Sequence, residues 1–165
     1  MKQEDKKLLL KDLCARLPYG IKVNAPFTTN KQEKAKGYKI NSINFGVVEW
    51  TPILFGEKKR RNSIIIEAFS EKYNQYCSID IELNNTIEEV KPYLFPISSM
   101  NEEQKQYLKN RFCYDWDGGP YDLWKYQIEI GDADELVDWF HKNHFDYRVL
   151  INKDLALDAT GLNIY

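Results

Sequence analysis

Two histidines and a run of four cations are the residues whose types and spacing point most directly to chemistry. His141 and His144 stand three apart in HKNH. On a helix of 3.6 residues per turn they lie about 60° apart around the axis. Asp134 and Asp138 fall on the same side as His141, and imidazoles with a carboxylate are a donor set that zinc accepts. A metal-dependent enzyme built on His141, His144 and Asp138 is therefore one reading. Nothing matches H-E-x-x-H, however, and spacing fixes no third ligand. His144 equally continues the apolar stripe of Phe140, with His141 and Lys142 complementing the negative end of the helix dipole. The structural roles weigh more, and no metal or other cofactor is expected.

The cations are Lys58, Lys59, Arg60 and Arg61, within GEKKRRN. Four adjacent positive charges create a local field that attracts phosphates. Ile53-Leu54-Phe55 and Ser63–Phe69 flank the run, which predicts a hairpin with a basic tip at 57–62. Trp50 and Tyr73 are close enough in sequence to stack on bases. There is no glycine-rich phosphate cradle beside the run and no basic stripe elsewhere, so nucleic-acid or nucleotide binding is the second reading, not the first.

Other reactive types have quieter explanations. DWDGGPYD, from Asp115 to Asp122, lacks the ligand spacing and closing glutamate of an EF-hand, and its residues suit a tight turn. Cys14 lies on or beside the leucine stripe of the first helix and reads as a small core residue. Glu88-Glu89 and Glu102-Glu103 open helices, where carboxylates are favourable without catalysis. No nucleophile elbow, kinase signature or phosphate loop is present.

The elements that must position these residues follow from periodicity. Residues 4–17 form an amphipathic helix with Leu9, Leu13 and Leu17 on one stripe and Lys6, Lys7 and Lys11 on the wet side; Pro18 and Gly20 end it. A strand covers 20–24, and the polar stretch 28–37 is a loop. Residues 38–50 are extended, with alternation that slips between Ile40 and Ile43, which predicts a bulge or turn at Asn41-Ser42. Ile64-Ile65-Ile66 reads as a strand covered on both faces. Cys77, Ile79, Ile81 and Leu83 alternate with Ser78, Asp80 and Glu82, giving a strand with an acidic wet face. Capping boxes at 86–89 and 99–102 open a short turn and a helix to Phe112, with Tyr107, Leu108 and Phe112 inward. After a turn at 113–122 and a strand at 123–130, a last helix runs from Asp132 or Asp134 to about Asn143. The fold class is thus α+β: a mainly antiparallel sheet or small open barrel in the middle, with an N-terminal helix and two C-terminal helices packed on it, in one domain over 1–165.

Composition sets the bounds. Hydrophobic residues are 43% and charged residues 29% of the 165, which is globular composition. Eleven Tyr and four Trp supply core area and also contact anchors. A net charge of −2 argues against general nucleic-acid affinity, although residues 1–114 carry 19 basic against 14 acidic groups and 115–165 carry 4 against 11. Three scattered cysteines without C-x-x-C fit a reducing cytoplasm. No apolar run has the length of a signal peptide core or a membrane span, so no membrane association is expected.

Three stretches, LLLKDLCARLPYGIKV at 8–23, EEVKPYLFPISSMNEEQ at 88–104 and NHFDYRVLINKDLALDAT at 143–160, together resemble a family of small uncharacterised proteins encoded by gut Bacteroidales phages and prophages. Residues 25–87 and 112–131 diverge from it. Glycine is common in that pattern where Val149 and Asp154 stand, which leaves open whether this chain turns sharply there. The resemblance implies a phage or prophage setting inside a bacterium and no particular activity, cofactor or catalytic residue. The expectation is a soluble, cytoplasmic, non-enzymatic accessory protein that acts by binding a host or phage protein. The closing segment, with His144, Asp146 and Arg148, is expected to be a structural clasp in which Asp146 and Arg148 tie down the helix exit.

Overall fold

Helix formation begins where the sequence places leucines at helical spacing. In the computed structural model, which describes residues 2–24, 38–50, 59–70, 74–80, 87, 90–112 and 130–165, helix α1 spans Gln3–Arg16. A single 3₁₀ turn at Leu17–Tyr19 carries Pro18, and Gly20 leaves it in the left-handed conformation at φ 70°. The buried stripe is not the purely apolar one expected. Leu9 and Leu13 share it with Asp12 and Arg16, all fully buried, and Arg16 Nε donates to Asp12 Oδ2 at 2.7 Å. Spacing of four residues lets the two charges compensate each other inside the stripe. Cys14 is correspondingly exposed and not a core residue.

Contacts divide the chain into two compact units, Met1–Lys91 and Pro92–Tyr165. The first holds α1 and four strands: β1 (Lys22–Asn24), β2 (Tyr38–Trp50), β3 (Lys59–Ser70) and β4 (Gln75–Asp80). They lie in the order β4-β3-β2-β1 with antiparallel pairing at each step. Ile40 faces Ala68 and Ser42 faces Glu67, so Asn41 is the extra residue of a bulge at the position where the sequence alternation slips. Tyr38, Ile40, Ile66 and Ala68 are buried on one face, while Lys39, Asn41 and Glu67 are exposed. Ile64 and Ile65 are only half-buried, so the isoleucine run is not covered throughout. The loop at 28–37, the strand proposed for 53–55, Ile81 and Leu83, nearly all of the first capping box, and the turn and strand at 113–129 lie outside the described residues.

In the second unit β5 (Lys91–Leu94) and β6 (Leu157–Asp158) pair in parallel, Tyr93 opposite Leu157 and Leu94 opposite Asp158. Pro92 belongs to this strand. Helix α2 (Glu102–Phe112) is opened by a capping box displaced from the expected one. Asn101 Oδ1 accepts from Gln104 N at 2.8 Å, and Gln104 Oε1 accepts from Asn101 N at 3.0 Å. Ser99 instead donates to Pro96 O. Leu108 and Phe112 point inward as expected, whereas Tyr107 is 43% exposed with its ring stacked on Trp139.

Helix α3 (Ile130–Lys142) starts before the acidic residues expected to cap it. It ends in a Schellman turn: Phe145 N donates to Phe140 O, His144 N donates to His141 O, and His144 takes φ 57°. The same pair of bonds recurs ten residues on. Leu155 N donates to Leu150 O, Asp154 N donates to Ile151 O, and Asp154 takes φ 58°. Val149 is also left-handed, at φ 59°. The chain therefore turns sharply at Val149 and Asp154 although neither is glycine. Phe140 and Phe145, with Ile97, Met100, Leu108, Phe112, Leu136 and Tyr147, form the apolar cluster of this unit. The architecture is α+β, as the sequence predicts.

Candidate binding surface

The histidines are used internally. His141 is buried, and its Nε2 is hydrogen-bonded to Tyr147 Oη at 2.8 Å. Arg148 Nε donates to the same oxygen at 2.7 Å. His144 is buried with its ring stacked on Tyr165 at 3.8 Å between centroids. Asp138 and Asp134 are exposed on α3. The candidate donor set thus does not converge, and among the described residues no three His, Cys, Asp or Glu side chains come together as a metal site. The physical reason lies in the helix end: His144 is past the last turn, where the left-handed backbone aims it away from the row of His141.

Asp146 is the most fully engaged acid of this region. Its buried carboxylate accepts from Leu150 N and Ile151 N, each at 2.8 Å, and its own N–H donates to Phe95 O. A carboxylate between two backbone donors holds a turn. Cys14 is exposed, and partial desolvation pushes its thiol pKa up, away from the thiolate a nucleophile requires.

Lys59, Arg60 and Arg61 begin strand β3, their backbones paired opposite Trp50, Glu49 and Val48. These three are ladder residues and not a turn; Lys58 lies outside the described residues. Asp115, Asp117, Asp122 and Glu88-Glu89 also lie outside them.

Among the described residues, the outer face of β2–β3–β4 is an open and chemically varied surface. Register places Ser42, Glu67 and Ser78 in one row across three strands, and Phe69 opposite Tyr76 in a neighbouring row. Tyr76 is 72% exposed, and its ring lies 4.6 Å from that of Phe69. Glu67 Oε2 accepts from Ser42 Oγ at 2.5 Å, which fixes the carboxylate in place. Because of the bulge, Asn41 joins Glu67, Tyr76 and Ser78 around a cleft of about 380 Å³. A second cleft of about 270 Å³ in the other unit is lined by Pro96, Ile97, Asp146, Val149 and Asp158 among others.

Sequence reasoning identified the bulge and the wet face of β4 through Ser78, but not Tyr76. The alternation read from Cys77 onward started the strand two residues late, which left an aromatic at the solvent-facing position unnoticed. No protein-family profile, curated protein sequence or solved structure matches the chain. Among the described residues no helix is long and apolar enough to cross a membrane.

Proposed function

We propose that the chain is a non-enzymatic accessory protein, working in a bacterial cytoplasm in a phage or prophage setting, that binds a host or phage protein through the outer face of β2–β3–β4. The observation that carries this reading is Tyr76, a large ring 72% exposed beside a cleft and backed by Phe69. Tyrosine is among the residue types that concentrate binding energy at interfaces, because it offers wide contact area with little side-chain entropy to lose. A ring already held against a neighbour loses less still on docking. The internal contacts of His141 and His144 add support, since the fold itself uses the two side chains that sequence spacing had offered as metal ligands.

The test is affinity capture from host lysate, followed by native mass spectrometry of the recovered complex. A stoichiometric partner that is lost with Tyr76→Ala and kept with Tyr107→Ala, another exposed tyrosine, supports the reading. A complex unaffected by Tyr76→Ala, or none at all, overturns it. Salt-sensitive capture of nucleic acid, abolished when Lys58, Lys59, Arg60 and Arg61 are changed to Glu, would replace it with the nucleic-acid reading.

A further inference from the structure

The chemistry of the cleft beside Tyr76 narrows what enters it. Among the described residues, its lining offers the carboxylate of Glu67, the hydroxyls of Ser78 and Tyr76, the carboxamide of Asn41 and the exposed ring of Tyr76. Each polar member can accept a hydrogen bond, and Glu67 brings a negative charge. Lys39, an exposed cation on the same face, is directed elsewhere. Its Cε lies 3.3 Å from the position a Cβ on Gly20 would take, and it does not line the cleft. Among the described residues of the lining, Glu67 is the one that carries a charge.

We infer that the cleft takes an arginine side chain of the partner protein, its guanidinium paired with Glu67 and lying against the ring of Tyr76. This rests on the binding reading above and specifies it. Three features favour arginine over other cations. The planar guanidinium stacks on aromatic rings and matches a carboxylate in a two-pronged contact, whereas an ammonium does so as a point charge. The carboxylate is pre-positioned by Ser42, so little ordering is needed on binding. Two more of the five guanidinium N–H groups find acceptors in Ser78 Oγ and Asn41 Oδ1. The volume, about 380 Å³, is at the low end for small-ligand sites and suits one side chain better than an extended ligand.

The experiment is an amide chemical-shift titration of the full-length protein with Nα-acetyl-arginine methylamide, run beside the citrulline analogue, which keeps the shape and removes the charge. Saturable shifts centred on Asn41, Glu67, Tyr76 and Ser78 are expected with the arginine probe. Affinity for it should fall about tenfold in Glu67→Gln and with citrulline, the loss that follows from a charge-assisted contact. Shifts that are absent, scattered over the surface, or equal for citrulline overturn the assignment. Glu67→Gln is also put through the capture assay. A complex that needs Tyr76 but tolerates Glu67→Gln, with no response to the probe, defeats the arginine assignment while the binding reading stands. A complex that survives Tyr76→Ala defeats the binding reading itself.

Discussion

Tyr165 reaches back across 72 residues to donate its hydroxyl to the carbonyl oxygen of Tyr93 at 2.7 Å. Its ring lies on His144 at 3.8 Å and near Phe95 at 5.9 Å. One side chain thus ties strand β5 to the end of helix α3. Tyr165→Phe removes only the hydroxyl contact and is expected to cost about 1 kcal/mol. Tyr165→Ala removes the stacking as well and is expected to cost about 2 kcal/mol. Urea unfolding of the two variants beside the parent checks both the order and the gap.

Asp146 should be the most sensitive polar residue of the second unit. Asp146→Ala takes their acceptors from the buried N–H of Leu150 and the part-buried N–H of Ile151, at a cost of about 3 kcal/mol. Asp146→Asn keeps one acceptor but turns an NH₂ toward the other donor, and should recover no more than about half of that loss. Hydrogen exchange at Leu150 and Ile151 offers a direct readout, with protection lost at both amides in the alanine variant.

Val149 holds a left-handed backbone with a β-branched side chain. That conformation costs a non-glycine residue about 1–2 kcal/mol, and the half-buried side chain returns only part of it. Val149→Gly is therefore expected to raise stability by about 1 kcal/mol, measured by denaturant midpoint. A loss of stability would mean that the side chain's packing in the second cleft outweighs the backbone strain.

Asp12 and Arg16 are fully buried as an ion pair at 2.7 Å. Removing either partner alone takes from the other buried charge its 2.7 Å contact, so Asp12→Ala and Arg16→Ala should each cost about 3–5 kcal/mol. Replacing both with apolar residues, Asp12→Leu with Arg16→Met, should cost markedly less than the sum of the single changes. A double-mutant cycle followed by thermal unfolding measures that difference.

What the sequence made legible was whatever local periodicity governs. Helix α1, the alternation of β2 with its slip at Asn41, and the inward Leu108 and Phe112 follow from spacing alone. What escaped it depends on pairing or on compensation. Asp12 and Arg16 look like surface charges until each is seen to neutralise the other inside the stripe. Lys59, Arg60 and Arg61 read as a turn because charge runs usually cap hairpins, yet their backbones continue the ladder opposite β2. Leu157–Asp158 is too short a strand to show any period, and only its partner β5 defines it. The left-handed turns at His144, Val149 and Asp154 are invisible by residue type, since none is glycine. Tyr76 was hidden for a related reason: nothing in an isolated tyrosine tells which face of a strand it occupies.

The central claim is that a protein partner docks on the face that carries Tyr76, and placing a photo-crosslinking amino acid there tests it most directly. With p-benzoylphenylalanine in place of Tyr76, irradiation in host cells should give one discrete heavier species. The same substitution at Tyr107, exposed in the other unit, should give none. A discrete adduct at Tyr107 with none at Tyr76, or no discrete adduct at either position, would contradict the account.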